Sequence, residues 1–167
     1  MTIKAGDRLP DATRWEGQGE FTMGCALGPT AVKTGEATKG KRVVIFGLPG
    51  AYTKTCSSQH VPGYAAASGQ LKAKKVDEIW CVSVNDATVM AAWGNDLKAT
   101  GKVHMMGDGN AEFTKALGVD QDLSARGMSV RSQRYSMFVE DGVVKAFNLE
   151  EPGKYEVSTP EKMLTQV

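Results

Sequence analysis

The chain has 167 residues, 41% hydrophobic and 23% charged, which predicts one soluble globular domain over residues 1–167. Twenty Lys and Arg against nineteen Asp and Glu leave a formal charge of +1, which excludes the basic footprint of a nucleic-acid-binding protein. No apolar run approaches the roughly 20 residues of a membrane-spanning helix. Because the N-terminus lacks an apolar signal-peptide core, we expect a cytoplasmic protein, or an organellar one if a transit peptide was removed.

The cysteine content argues against a protein held together by disulfides. Cys25, Cys56 and Cys81 are an odd number and form no CxxC pair. Two histidines without a paired Cys/His spacing predict no metal site, and no cofactor is expected. The thiols are therefore either inert or used chemically.

The N-terminal elements in chain order begin with β structure. Short apolar alternations predict a hairpin or two, around residues 12–15 and 20–26, and a turn follows over 35–40. The β-branched run over 42–48 ends at Pro49-Gly50 and predicts a strand buried on both faces.

Helices and strands then alternate. Residues 56–75 predict a helix, kinked or restarted at Pro62. The apolar run over 78–84 predicts a second buried strand, after which Asp86 is expected to cap the next helix. A short strand is predicted over 103–106.

The C-terminal part predicts a hairpin and a last helix. Asn110 is expected to cap a helix that Gly118 ends, and residues 119–133 show no period and predict a loop. Strands over 135–140 and 143–148, joined by Asp141-Gly142, form the clearest hairpin. Thr159-Pro160 opens a short helix. This order predicts a three-layer α/β sandwich around a mixed sheet.

The turn after the first buried strand carries the most informative residues. Cys56 begins a helix there, so its sulfur would face unpaired backbone N–H groups and the positive end of the helix dipole, which favour the thiolate. Lys54 adds a cation, and the Thr53 hydroxyl can approach the sulfur from the same turn. Position alone equally allows a buried structural cysteine.

The residues around this turn form a known pattern. Pro49, Thr53 and Cys56 fit PxxxTxxC, within PGAYTKTCSSQHVPGY. VDEIWCVSVND, VMAAW and RSQRYSMFVEDGVVKAFNLEEPG follow in order, so four blocks span most of residues 40–155. Together they resemble the Prx5-like, or type II, peroxiredoxins. Tyr52 and Lys54 stand where Phe and Pro are common in that branch, and neither change removes a chemical group.

The resemblance implies a thioredoxin-like α/β fold, with a central mixed β-sheet flanked by helices and an N-terminal β-hairpin extension. It also implies a thiol-dependent peroxidase that reduces hydrogen peroxide and alkyl hydroperoxides. Cys56 would be the peroxidatic residue, with Thr53, the Cys56 backbone N–H and Arg134 as donors, and Pro49 as a shield of the sulfur. Arg134 is preferred to Arg131 because it directly precedes the aromatic residue that starts the strand.

The resemblance also bears on assembly. Members of the branch commonly form homodimers near the active-site loop, where Leu48 and Tyr52 are expected to be exposed.

The remaining candidate residues are His60 and the two other cysteines, which bear on how oxidised Cys56 is reduced again. His60 is interpreted as an active-site-edge residue; a Cys–His hydrolase would need an orienting Asn or Asp, and none is identifiable. Cys81 matches the second cysteine of plant type II members and is the candidate resolving residue, although its apolar surroundings indicate a buried strand. Cys25 is expected to be a bystander. We therefore expect reduction by an external thiol, either glutathione with glutaredoxin or thioredoxin.

A rival interpretation is a thioredoxin-fold redox sensor or partner-binding protein that uses Cys56 as a switch. The joint presence of Thr53, Cys56 and Arg134 favours the enzyme, because a binding module does not need the full set.

Overall fold

The computed structural model describes residues 1–18 and 27–167. The strands are β1 (Thr13–Gln18), β2 (Leu27–Lys33), β3 (Arg42–Gly47), β4 (Glu78–Ser83), β5 (His104–Gly107), β6 (Asp120–Asp122), β7 (Val130–Ser132), β8 (Tyr135–Glu140) and β9 (Val143–Leu149). The helices are α1 (Thr34–Thr38), α2 (Val61–Ala73), α3 (Ala87–Asp96), α4 (Glu112–Leu117) and α5 (Pro160–Leu164). A π-helical turn (Cys56–His60) precedes α2, and a 3₁₀ turn (Ser124–Arg126) follows β6.

Seven strands form one mixed sheet in the order β2-β1-β5-β4-β3-β8-β9. β4 lies parallel to both β3 and β5, whereas the other neighbouring pairs are antiparallel. β6 and β7 form a separate antiparallel pair. The predicted mixed sheet with an N-terminal hairpin at one edge is thus confirmed, although β2 lies at residues that were not predicted to form a strand.

Helices cover both faces of the sheet. Val44 and Phe46 of β3 pack in a core with residues of α2, α3 and α5, whereas Val43 and Ile45 pack on the other face with residues of α4. This alternation follows from the two-residue period of a strand, and it leaves every residue of β3 after Arg42 buried. The three-layer arrangement expected from the sequence is confirmed.

Several local predictions are confirmed by backbone geometry. The Asp86 carboxylate accepts from the N–H of Val89 at 2.9 Å and so caps α3. Asp141 and Gly142 have φ values of 48° and 75°, the left-handed pair that a tight hairpin between β8 and β9 requires. α2 restarts directly before Pro62, as expected for a proline in the first helical turn.

Other local predictions were wrong. Residues 34–38 form α1 rather than a turn, and residues 119–133, predicted as a loop, contain β6, the 3₁₀ turn and β7. Asn110 does not cap α4; Asp108 does, by accepting from the N–H groups of Phe113 at 3.1 Å and Thr114 at 2.8 Å.

The physical reasons differ. β6 and β7 pair within one short segment that leaves no hydrophobic period to detect. Helix α1 has only five residues, too few to show a period, and its buried Thr34 hydroxyl donates to the carbonyl of Ala12 at 2.9 Å.

Some expectations lie outside the described residues, namely the strand over 20–26 and Cys25. Within the described ranges, no helix is both long and apolar enough to cross a membrane.

One ion pair joins the N-terminal hairpin to the central sheet. His104 Nδ1 lies 2.8 Å from Glu16 Oε1, connecting β5 to β1. The hydrogen bond to the Glu16 carboxylate raises the pKa of His104 above its ordinary value, although burial acts in the opposite direction. The folded protein therefore binds the His104 proton more tightly than the unfolded chain does.

The stability contribution of this pair depends on pH. Because the folded-state pKa is raised, the contribution is full below the unfolded value of about 6.5 and is lost as pH rises through the folded value. We expect Glu16→Gln to lower the free energy of unfolding by up to about 1 kcal/mol at pH 5.5, since the pair is partly exposed, and by less at pH 8.5. Urea unfolding at both pH values measures this. In a His104→Gln background the Glu16→Gln effect should not change with pH; a pH-dependent effect there would contradict the assignment.

Candidate active site

Cys56 lies in the first turn of the helix that follows β3, and its side chain is buried. Arg134, one residue before β8, donates from Nη2 to Cys56 Sγ at 3.3 Å. β3 and β8 are antiparallel neighbours, with Gly47 opposite Tyr135, so the sheet itself places Arg134 beside the Cys56 turn. Arg134 thus places a guanidinium in hydrogen-bonding contact with the buried sulfur of Cys56.

The loop before Cys56 is held by short hydrogen bonds. Thr53 Oγ1 donates to the carbonyl of Gly50 at 2.8 Å, and the Thr53 carbonyl accepts from Ser57 N–H at 3.0 Å. Asn85, two residues after β4, accepts from Ala51 N–H at 2.9 Å and ties the loop to the sheet. Sequence reasoning missed Asn85, although a polar residue after a buried strand was a usable signal.

Pro49, Thr53 and Arg134 line one cavity of about 550 Å³. The structure therefore brings together three of the residues expected to act with Cys56. By contrast, Arg131 donates from Nε to the carbonyl of Met128 at 2.8 Å.

His60 lies next to the site but is wholly buried rather than at its rim. Its Nδ1 is 2.9 Å from Arg134 Nη1, and its Nε2 is 3.2 Å from the carbonyl of Ser158. Burial, and then the charge of Arg134, lower the pKa of His60 to about 3, so the ring is neutral. Since a guanidinium can only donate, Nδ1 is the acceptor and the proton is on Nε2.

This tautomer decides between two kinds of cysteine chemistry. Both His60 ring nitrogens are engaged, one by Arg134 and the other by Ser158, so neither is free to take a proton from Cys56. The arrangement disfavours a Cys–His hydrolase, in which the histidine must act as the base.

Glu150, directly after β9, holds the segment that supports His60. Its Oε1 accepts from the N–H groups of Glu156, Val157 and Ser158 at 2.7–2.8 Å, and from Ser158 Oγ at 2.8 Å. Burial raises the pKa of Glu150, but these hydrogen bonds outweigh it and leave the pKa below the ordinary value. The Glu150 N–H also donates to the carbonyl of Arg134 at 2.9 Å.

Glu150 was not identified from the sequence as a site residue. Its place in the NLEEPG block was the one available signal in the sequence. Its hydrogen-bond partners lie six to eight residues further along the chain and follow no regular spacing, so the sequence does not reveal them.

Aromatic rings enclose the histidine. Phe46 stacks on Tyr64 with centroids 4.2 Å apart and lies 4.7 Å from the His60 ring. Tyr155 lies 5.0 Å from His60, and the Arg134 guanidinium lies 5.7 Å from the Tyr155 ring centroid. These rings help to bury the His60 side chain completely.

Cys81 is fully buried in β4, opposite Phe46 of β3, and neither Cys56 nor Cys81 is in a disulfide. Burial, and then the charge of Cys56, raise the pKa of Cys81 well above its ordinary value. Cys81 is therefore a protonated thiol and a poor nucleophile in this state. Among the described residues, no group of three His, Cys, Asp or Glu side chains could hold a metal ion.

Comparison with known proteins places the chain in a family. The family model described as Redoxin matches residues 4–164. The chain belongs to the Redoxin family. Within it, the chain is a peroxiredoxin of the Prx5-like branch. Peroxiredoxin-2E-2, chloroplastic, of Oryza sativa subsp. japonica is 47% identical over 169 residues, which cover 98% of this chain and 72% of that protein.

Solved structures agree with this placement. Reduced Prx3 from Vibrio vulnificus in complex with H₂O₂ is 44% identical, with a TM-score of 0.90 and 98% of each chain covered. A Burkholderia cenocepacia protein provisionally described as a thioredoxin reductase is 57% identical, with a TM-score of 0.95, covering 100% of this chain and 99% of the other. The thioredoxin-like fold is thus confirmed, and the peroxiredoxin names of the curated relatives identify a thiol-dependent peroxidase.

The structural role of Glu150 can be tested by comparing its substitution with that of the exposed Glu151. We expect Glu150→Gln to lower the free energy of unfolding by about 1–3 kcal/mol at pH 7, because a neutral amide oxygen accepts more weakly than a carboxylate. Since the folded-state pKa is lowered, the difference from wild type should be present above about pH 4.3 and shrink as pH falls through the folded value.

Denaturant unfolding from pH 3.5 to pH 7 measures the difference. Glu151→Gln is the matched control, since Glu151 is 75% exposed and pairs only with Lys154 among the described residues. Equal effects of the two variants would contradict a structural role for Glu150.

Proposed function

We propose that the protein reduces hydrogen peroxide and alkyl hydroperoxides, with Cys56 as the peroxidatic thiol. The observation that carries the proposal is the 3.3 Å hydrogen bond from Arg134 to Cys56 Sγ, beside a cavity that Pro49 and Thr53 also line. The Vibrio vulnificus relative, described as a complex with H₂O₂ in its reduced state, supports hydrogen peroxide as a substrate.

The first step is a displacement at oxygen. The Cys56 thiolate attacks one peroxide oxygen, an S–O bond forms, and the O–O bond breaks with its electron pair on the departing oxygen. That oxygen takes a proton and leaves as water or an alcohol, and Cys56 becomes a sulfenic acid. Arg134 stabilises the charge that develops, because a guanidinium stays protonated and offers several N–H groups in a rigid fork.

Two further groups, the Thr53 hydroxyl and the Cys56 backbone N–H, would orient the substrate. Thr53 was expected to donate to the peroxide, but its hydroxyl donates to the Gly50 carbonyl at 2.8 Å. Its oxygen lone pairs can instead accept from the peroxide O–H. The Cys56 backbone N–H would add a donor near the sulfur, and Pro49 would limit water at the reacting atoms.

His60 and Glu150 are positioning residues in this proposal. His60 accepts from one terminal nitrogen of Arg134, which leaves the other for Cys56. Glu150 supports His60 through the carbonyl of Ser158, and it holds the Arg134 backbone directly.

The catalytic roles can be separated by substitution. We expect Cys56→Ser to abolish peroxide consumption with a small-thiol reductant, since the attacking sulfur is gone. Arg134→Ala should lower the rate constant of Cys56 with peroxide by about 100-fold to 1,000-fold at a similar melting temperature, the range for loss of a donor to a developing charge.

Arg131→Ala is the matched control. Stopped-flow oxidation and thermal unfolding of the three variants test the assignment. Retained turnover in Cys56→Ser would overturn it, and so would a larger loss in Arg131→Ala than in Arg134→Ala. A sulfenic acid that forms without sustained turnover would favour the redox sensor.

We infer that an external thiol, glutathione with glutaredoxin or else thioredoxin, reduces the sulfenic acid. A disulfide requires Cα atoms within about 7 Å and suitably directed side chains. Cys81 is fixed inside β4 between two other strands of the sheet, so reaction with Cys56 would require the Cys56 turn to unfold locally. An internal disulfide is therefore a secondary route.

Cys81 can be removed without touching the peroxide site. We expect Cys81→Ser to keep most of its turnover supported by glutathione and glutaredoxin, because the external thiol attacks Cys56 directly. Steady-state peroxide reduction with each reductant in excess measures it. Complete loss in a folded variant would make Cys81 an obligatory resolving cysteine.

We also propose a homodimer of single-domain subunits. Tyr52 is 56% exposed beside Trp93, with ring centroids 6.2 Å apart, and offers an apolar contact near the active-site loop. The expectation that Leu48 is exposed as well was wrong, since it packs in the core with Cys56.

We propose a cytoplasmic location, or an organellar one for a form that has lost a transit peptide. The relatives named chloroplastic and mitochondrial keep the second location open.

A further inference from the structure

The cavity lined by Pro49, Thr53 and Arg134 is much larger than the peroxide group requires. Its volume is about 550 Å³, whereas a water molecule in the liquid occupies about 30 Å³ and hydrogen peroxide has only two heavy atoms. The remaining space can hold the body of an organic hydroperoxide.

The charges that line this cavity are not balanced. Its two carboxylates are both engaged, because Glu150 accepts from the backbone of 156–158 and Glu151 pairs with Lys154 at 2.9 Å. Lys54 and Arg126 line the same cavity, and neither forms an ion pair within residues 1–18 and 27–167. Two cations thus remain in addition to Arg134, which already contacts Cys56.

The rest of the lining includes an apolar surface. Leu123 and Met128 come from the segment around the 3₁₀ turn, Pro152 follows β9, and Pro49 precedes the Cys56 turn. A ligand with an apolar chain and one anionic end would match this combination of surfaces.

We propose that Lys54 and Arg126 bind the carboxylate of an organic hydroperoxide, while its chain lies on Leu123, Met128 and Pro152. The inference rests on the proposed function and specifies its substrate class. The peroxide step is unchanged: the carboxylate takes no part in the bond exchange, and the products are the Cys56 sulfenic acid and the corresponding hydroxy acid. Lys54 stands where Pro is common in the branch, so one of the two cations is a feature of this chain.

The test compares a medium-chain carboxylic acid hydroperoxide with its methyl ester and with hydrogen peroxide. Stopped-flow oxidation of the reduced protein gives the rate constant for each. We expect the acid to react faster than the ester, and the acid-to-ester ratio to fall about threefold to fivefold in Lys54→Gln and in Arg126→Gln, as for loss of one partly exposed ion pair. The ratio should also fall as salt is raised from 0.05 M to 0.5 M, since salt screens exposed charges.

Lys102→Gln is the matched control, because it removes the same charge from an exposed lysine outside the cavity lining. An equal fall of the ratio in Lys102→Gln would show a long-range charge effect and overturn the subsite. A ratio of one in the wild-type protein would also overturn it.

Two further outcomes are distinguishable. If neither hydrogen peroxide nor the ester oxidises Cys56, the proposed function itself fails. If Lys54→Gln and Arg126→Gln slow reduction of the sulfenic acid by glutathione but leave the acid-to-ester ratio unchanged, the two cations bind the carboxylates of the reducing thiol, and the substrate assignment is wrong.

Discussion

The site depends on a histidine that stays uncharged. His60 is buried between Arg134 and the carbonyl of Ser158, and its pKa is about 3. A protonated ring would place two cations in contact inside the core and would turn the acceptor Nδ1 into a donor. Neutral His60 instead receives one N–H of Arg134, and the guanidinium keeps its full charge for Cys56. Because the ring does not titrate near neutrality, this geometry is stable across the physiological pH range.

The groups that orient Arg134 come from distant parts of the chain. His60 follows the Cys56 turn, whereas Ser158 lies 98 residues later, in the segment that Glu150 binds. The His60–Ser158 and Ser158–Glu150 links are buried hydrogen bonds, and leaving a buried partner unsatisfied costs about 1–3 kcal/mol. The C-terminal segment therefore helps to hold Arg134 in place, although it is far from Arg134 and His60 along the chain. The cavity gains a wall from the same region, since residues after β9 line it.

Local chemistry explains which features could be predicted from the sequence. The buried runs of β3 and β4, the Asp86 cap and the Asp141-Gly142 turn each depend on residues within a few positions of one another. Cys56 and Arg134 were identified by their place at strand ends and by resemblance. Contacts between segments without a period could not be predicted, and the Glu150 network belongs to that class. The neutral state of His60 was also beyond sequence reasoning, because it follows from burial and from the charge of Arg134.

The π-helical turn has a consequence for how the chain can vary in length. Within Cys56–His60 the helix is widened, and Val61 N–H donates to the carbonyl of Cys56, five residues back. Each residue of a helix advances it by about 100°. Deleting one residue inside the turn would swing His60 away from Arg134, or else rotate the face of α2 that holds Tyr64 off the sheet. Substitutions of Ser58 and Gln59 meet no such barrier, since both side chains are exposed, whereas Ser57 accepts a hydrogen bond from Trp93 Nε1 at 3.1 Å. At positions 58 and 59 of the turn, the number of residues is therefore constrained more tightly than their identity.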